Sequence, residues 1–237
     1  MKIETAILTN AGGRQINDDT VAVLSPKGTY AFVGDGLGGY AGGQQASRAA
    51  CDVMLDYARK GALVSREKME QAAAAAEKAV CTLQEETAGD MKTTMVFLAV
   101  EEGKAMWMHV GDSRLYHFRD GKLISQTKDH SVSQMAVMLG QITQSQIRFH
   151  EDRNRVLRAL GAAKAKPEIS AELETVPGDA FLLCTDGFWE YVLEEEMEQT
   201  LSRTDMPQEW MDRMEEILKS RVPDNNDNYT AAAVFCK

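Results

Sequence analysis

Three strand-like runs end on an aspartate flanked by small residues: Phe32-Val33-Gly34-Asp35-Gly36, His109-Val110-Gly111-Asp112-Ser113 and Leu183-Cys184-Thr185-Asp186-Gly187. Asp227 precedes a fourth such run, and Asp18-Asp19 precedes a fifth. Carboxylates at strand ends, without cysteine pairs and with few histidines nearby, suit hard, oxygen-seeking cations such as magnesium or manganese rather than zinc. Two such ions can activate a water in line with a phosphoryl group. The bland reading of an Asp-Gly pair is a hairpin turn, and it suits Asp120-Gly121. It suits Asp35 and Asp186 poorly, because a glycine-rich loop into a helix follows the first and Phe188-Trp189-Glu190 leads into a helical pattern after the second.

Nine of the 18 glycines fall between Gly12 and Gly43, so backbone must come close to something there. The segment Gly34 to Gly43 also matches G-x-G-x-x-G after a strand and before a helix. A dinucleotide site is nevertheless disfavoured. Asp35 would set a carboxylate against the pyrophosphate, and no acidic strand end follows at the spacing a ribose would need, since Asp52 and Asp56 lie inside the next helix. Residue chemistry alone stops at an oxygen-ligand metal site.

The elements that must carry these residues can be read from periodicity. Strands are expected at Ile3 to Thr9, Thr20 to Leu24, Tyr30 to Val33, Thr93 to Val100, Ala105 to Val110, Leu115 to Phe118, Lys122 to Gln126, Phe181 to Cys184 and Tyr229 to Cys236. Helices are expected at Gln44 to Arg59, Ser65 to Glu86, Ser131 to Leu139, Thr143 to Phe149, Leu193 to Leu201 and Gln208 to Arg221. Strands in hairpin-like groups, one joined through Arg119-Asp120-Gly121-Lys122, favour antiparallel pairing and an α+β fold over alternating β-α-β units.

The 237 residues, with five scattered prolines and no Gly/Ser/Pro tether, predict one domain over 1–237. A balance of 26 Lys+Arg against 36 Asp+Glu, net -10, without a basic stripe, argues against nucleic acid as a partner. Apolar runs such as Met95 to Val100 fall far below the ~20 residues needed to cross a bilayer. With no export signal at Met1-Lys2-Ile3-Glu4, a cytoplasmic protein without a membrane partner is expected. The four cysteines, far apart and without C-x-x-C, read as small buried hydrophobes.

Taken in order, Arg14-Gln15-Ile16-Asn17-Asp18-Asp19, Gly34-Asp35-Gly36-Leu37-Gly38-Gly39, Thr93-Thr94, Val110-Gly111-Asp112-Ser113-Arg114, Asp129-His130-Ser131, Leu160-Gly161, Leu183-Cys184-Thr185-Asp186-Gly187 and Asp227-Asn228-Tyr229-Thr230 resemble the metal-dependent protein phosphatase, or protein phosphatase 2C, family in its compact bacterial form. The resemblance implies an α-β-β-α sandwich of two antiparallel sheets flanked by helices, with metals in a cleft at one edge. It implies hydrolysis of phosphoserine and phosphothreonine in proteins by direct attack of a metal-bridging hydroxide, opposite a serine/threonine kinase, by a monomer. Carried over by position, Asp35 would bridge two Mn2+ or Mg2+ ions, the Gly36 carbonyl would bind one, and Asp186 and Asp227 the other. Asp19 and Asp18 would hold metal-bound waters, Asp112 a third and weaker ion, and Arg14 the substrate phosphate through its guanidinium fork.

Two departures matter. Leu37 stands where some members carry a general-acid histidine, and Asp18 where the family usually has Glu. A proton for the leaving alkoxide would then come from water or another group; His130 is a candidate, with a structural role as its alternative. The segment Ser131 to Arg158 matches the flap beside the active site, equally readable as an amphipathic helix pair that completes the fold. Rival functions are a non-catalytic phosphoprotein binder and a narrow regulator acting on one phosphorylated switch protein.

Overall fold

The computed structural model describes residues 1–38, 42–162 and 165–237; Gly39 of the glycine-rich motif lies outside them. In chain order the elements are β1 (Ile3–Asn10), β2 (Thr20–Leu24), β3 (Thr29–Gly34), β4 (Gly36–Leu37), α1 (Gly42–Lys60), α2 (Arg66–Thr87), β5 (Lys92–Thr93), β6 (Met95–Glu101), β7 (Lys104–Val110), β8 (Arg114–Arg119) and β9 (Lys122–Gln126). There follow α3 (Val132–Met138), a 3-10 helix (Gln144–Phe149), β10 (Glu168–Ile169), β11 (Leu173–Glu174), β12 (Asp179–Cys184), α4 (Asp186–Trp189), α5 (Glu194–Leu201), α6 (Pro207–Lys219) and β13 (Tyr229–Cys236).

Two large antiparallel sheets result, with β4 and β5 forming a separate two-stranded pair. One is five-stranded in the order β1-β13-β12-β8-β9, and the other six-stranded, β10-β7-β6-β3-β2 with β11 beside β7. Because strand side chains alternate between faces, each sheet feeds two cores. On β3, Ala31 and Val33 face the opposite sheet and meet Leu98, Phe181, Leu183, Ala232 and Val234, whereas Tyr30 and Phe32 pack against the helices. The α1–α2 layer closes over them with Ala46, Ala50, Met54 and Ala58 at four-residue spacing on α1, and Met69, Ala72, Ala76 and Val80 on α2. On the far side Trp210, Met211, Met214 and Leu218 of α6 cover Ala231, Ala233 and Phe235. The layers are α-β-β-α, as the resemblance implied.

Local chemistry explains the boundaries. α1 ends with Arg59 and Lys60 in its last turn and Gly61 at φ 77° beyond it, satisfying the terminal dipole and the left-handed stop. Asp120 and Gly121, both at positive φ, form the tight β8–β9 hairpin. The single run expected over Thr93 to Val100 is instead broken at Thr94, whose hydroxyl accepts the Asp35 N–H at 2.8 Å and lies 2.6 Å from the Ser113 hydroxyl. The helix expected at Thr143 to Phe149 is a 3-10 helix, with Thr143 as its cap residue. All four cysteines are free; Cys51, Cys184 and Cys236 are buried and Cys81 only half so. Among the described residues no helix is long and apolar enough to cross a membrane.

Candidate active site

Both sheets deliver their strand ends to one edge. β3 of the six-stranded sheet stops at Gly34 and presents Asp35; β12 of the five-stranded sheet stops at Cys184 and presents Asp186 as the first residue of the one-turn helix α4. β7 ends before Asp112, the 11–19 loop between β1 and β2 supplies Arg14, Asp18 and Asp19, and Asp227 leads into β13.

The Asp35 backbone is held on both sides. Its N–H donates to Thr94 Oγ1, and its carbonyl accepts from the Thr94 N–H at 2.8 Å and the Thr93 hydroxyl at 2.9 Å. Gly36 admits no side chain: a Cβ there would lie 2.1 Å from the Gly43 carbonyl oxygen and 2.6 Å from that of Asp18, so the start of α1 packs directly on the Asp35 turn. Asp18 ties the same layers together. Its Oδ1 accepts the Gln44 N–H at 3.1 Å, its carbonyl accepts the Ser47 hydroxyl at 2.7 Å, and its N–H donates to Asn228 Oδ1 at 2.8 Å. Asp19 is buried, and its Oδ2 accepts the Thr185 hydroxyl at 2.9 Å, joining the 11–19 loop to the end of β12.

The electrostatics are those of a site with too much negative charge. Burial, and then the charge of Asp186, Asp19, Asp112 and Asp227, pushes the Asp35 carboxyl well above the usual carboxylate range. Asp186 is raised likewise by burial, then by Asp112, Glu190, Asp19 and Asp227. Burial lifts Asp19 to about 7, and burial with Asp129 lifts Asp112 to about 7. Asp112 is 2 % exposed, and its Oδ1 has no hydrogen-bond partner. The five carboxylates thus share one field, yet among the described residues no three of them bring oxygens within 4.8 Å of one another.

Arg14 stands at the mouth. Its Nε and Nη2 donate to Asp227 Oδ1 and Oδ2 at 3.2 and 3.3 Å, with both side chains half exposed. Arg14, Asp186 and Asp227 line a cavity of about 140 Å³ together with Glu190, Tyr191 and two residues of the 131–158 segment, Arg153 and Asn154. Arg153 pairs with Glu190, Nε to Oε1 3.0 Å. Arg153, Glu190 and Asn228 were given no role from sequence; the signal for Glu190 and Asn228 was adjacency to the Asp186 turn and to Asp227, and for Arg153 its place in the 131–158 segment.

His130 is not at the mouth. Its side chain is buried, its Nδ1 accepts the Gly111 N–H at 3.2 Å, and burial pushes it down to about 4, leaving a neutral ring without an acidic proton. The candidate proton donor is therefore a structural histidine. With His109 and Glu168 it forms the one set among the described residues whose metal-capable atoms approach within 4.8 Å. Coordination is disfavoured there on two grounds. The Gly111 bond occupies Nδ1 and so places the hydrogen of the neutral ring on Nε2. The His109 and His130 rings also stack face to face, centroids 4.7 Å apart and 3° from parallel, so one ion cannot lie in both ring planes.

The comparisons agree with this architecture. The protein phosphatase 2C family model matches residues 10–223. The serine/threonine protein phosphatase PstP of Mycobacterium tuberculosis is 32% identical over 197 residues, 81% of this chain; the chain spans 38% of that relative's length. The serine/threonine phosphatase Stp of Listeria monocytogenes is 30% identical over 233 residues, covering 93% of this chain and 90% of the relative. The crystal structure of the Mycobacterium tuberculosis PstP phosphatase superposes with a TM-score of 0.88 at 28% identity, over 99% of both chains. The catalytic domain of PstP in complex with two manganese ions gives 0.86 at 27% identity, over 98% of this chain and 97% of that one. On its fold, its motif order and the extent of these matches, the chain belongs to the protein phosphatase 2C family.

Proposed function

We propose that the chain is a divalent-metal-dependent protein phosphatase that removes phosphate from phosphoserine and phosphothreonine in proteins. The observation that carries this reading is the shared cleft of mutually repelling carboxylates, the half-buried Asp35 and Asp186 beside the buried Asp19 and Asp112, with Arg14 at its mouth. Buried anions without enough counter-charge are costly, and hard cations both relieve the repulsion and prefer oxygen donors. The donor set fits such cations: Asp35, the Gly36 carbonyl, Asp186 and Asp227 would hold them directly, Asp19 and Asp18 would act through water, and Asp112, with its orphaned Oδ1, would serve a further, weaker one. Bound there, Mn2+ or Mg2+ would supply Lewis acidity and a lowered pKa for water at neutral pH.

The rest is the work of the protein's own side chains. Arg14 presents a fork that matches two non-bridging phosphate oxygens. Its pairing with Asp227 is solvent-exposed and worth only about 0–1 kcal/mol, so phosphate can take it over. Thr93 and Thr94 fix Asp35 so that its position need not be rebuilt at each turnover. Neither donor considered from the sequence qualifies, since Leu37 has no proton to give and His130 is buried and neutral; the leaving alkoxide takes its proton from solvent or another group of the cleft. A cognate serine/threonine kinase would generate the substrates.

The test is phosphate release from a phosphothreonine peptide with manganese, with magnesium and after chelation, alongside calorimetric titration of manganese. Metal-dependent turnover with two or more ions bound is expected. A folded protein that shows no turnover under any metal would instead favour a non-catalytic phosphoprotein binder.

A further inference from the structure

Beneath the cleft lies a buried charge ladder that the reaction itself does not use. Trp189, the last residue of α4, donates its indole N–H to the Asp112 carbonyl at 3.0 Å. The Arg114 guanidinium lies on its ring, 3.4 Å from the centroid, and is fully committed: Nε and Nη2 donate to the two Asp129 oxygens at 2.8 Å, and Nη1 donates to Tyr116 Oη at 3.1 Å. Tyr116 in turn donates to Glu194 Oε1 at 3.2 Å. A second arginine, Arg148, arrives from the 3-10 helix of the 131–158 segment. It is 7 % exposed, sits 5.4 Å from the same indole centroid, and places Nη2 2.6 Å from Glu194 Oε2.

Burying an arginine from a surface segment is expensive, and here Glu194 supplies the counter-charge and Trp189 the aromatic face while its Nη1 and Nη2 make no directed hydrogen bond, so the contact fixes position more than it adds stability. What it fixes is significant: Arg148 lies five residues before Arg153, which with Asn154 forms the wall of the 140 Å³ cavity facing Arg14, Asp186 and Asp227. We propose that Arg148 is a positioning residue that locks the 131–158 segment onto Glu194 and Trp189 and thereby sets the cleft wall against which a phosphorylated polypeptide is seated. The inference rests on the phosphatase reading for its consequence but not for the lock itself. Loss of Arg148 leaves the Arg114–Trp189 stack and its link to Asp112 in place, so the floor stays built while the wall loosens.

Two readouts separate the lock from the activity. In metal-free protein, Arg148→Met should raise amide hydrogen exchange over residues 142–158, with the β6, β12 and β13 strands unchanged; this reads the lock whether or not the protein is an enzyme. In manganese-loaded protein the variant should raise KM for a phosphothreonine peptide about tenfold, since small misplacements of positioning groups cost this much or more. Its kcat with the peptide, and its kcat/KM for p-nitrophenyl phosphate, which is too small to lean on the wall, should stay within about twofold. Arg148→Lys, which keeps the charge toward Glu194, should recover part of the peptide KM. Unchanged exchange, or an equal loss on peptide and aryl phosphate, would overturn the proposal. A wild-type protein that turns over neither substrate, yet shows the exchange difference, would refute the phosphatase reading and leave the lock standing.

Discussion

Replacing Asp112 by asparagine should make the metal-free protein more stable at neutral pH, although it removes a residue proposed to serve the site. Asp112 is 2 % exposed and its Oδ1 is unpaired, so its ionised form is poorly solvated, and burial lifts it from 3.8 to about 7. A folded-state pKa above the unfolded one means that the native protein holds the proton longer. Stability is then intact below 3.8 and declines as pH rises from 3.8 to about 7. At about 1.4 kcal/mol per pH unit, the penalty at pH 7.5 is bounded by about 4 kcal/mol, and relaxation of Asp129 and Arg114 around the site brings the expected gain to roughly 1–4 kcal/mol. Each kcal/mol corresponds to about 2–4 °C in Tm for a chain of this size. Urea unfolding of chelated wild type and Asp112→Asn, followed by tryptophan fluorescence, should show the variant ahead at pH 7.5 and level at pH 4. Saturating manganese should narrow the gap, because a cation beside Asp112 removes the source of its instability. A variant less stable than wild type at pH 7.5, or one ahead by the same margin at pH 4, would refute the reasoning.

Three further outcomes follow from the cleft geometry. Asp35→Asn should reduce manganese-dependent phosphopeptide turnover by about a thousandfold or more, on the order of 4 kcal/mol of barrier, and most activity retained in steady-state kinetics would remove its bridging role. Arg14→Ala should raise KM for the phosphopeptide about tenfold while leaving the fold intact, because its present ion pair is exposed and weak; an unchanged KM would take it out of phosphate recognition. Gly36→Ala places a methyl 2.1 Å from the Gly43 carbonyl oxygen, so α1 or the Asp18 loop must move; a loss of about 2 kcal/mol or more in urea unfolding and of metal-dependent activity is expected, and a wild-type profile would contradict the packing.

The strands, the helices and the α+β class were legible because their information is local, whereas the sandwich itself came from the family resemblance. The short apolar runs at residues 30–33 and 229–236, and the four-residue spacing of Ala46, Ala50, Met54 and Ala58, need no knowledge of partners. The strand-end aspartates were legible for the same reason, as an abrupt charge after an apolar run. The break at Thr94 was not, since its cause is a pair of bonds to Asp35 and Ser113, residues far away in sequence. Nor was the pairing of Arg14 with Asp227, or the assembly of Arg114, Arg148 and Trp189 around one ring. Each of these side chains read by itself is an ordinary polar or aromatic residue; only the topology makes it a partner. His130 shows the converse. Its type advertised proton chemistry, and its depth in the fold withdrew it.

β13 has a consequence for how the protein is made. It is an interior strand of its sheet, between β12 and the edge strand β1, and pairs with β1 over eight residues from Ile3↔Cys236 to Asn10↔Tyr229. Among the described residues β1 therefore has no paired strand until residues 229–236 have been synthesised and have left the ribosomal tunnel. Long-range pairing of this kind slows folding and leaves earlier segments exposed while they wait. Because Asp227 and the anchor of the 11–19 loop, Asn228, arrive with that strand, the cleft is among the last parts to assemble, and translation interrupted before residue 227 yields a polypeptide with most of its strands and no complete site.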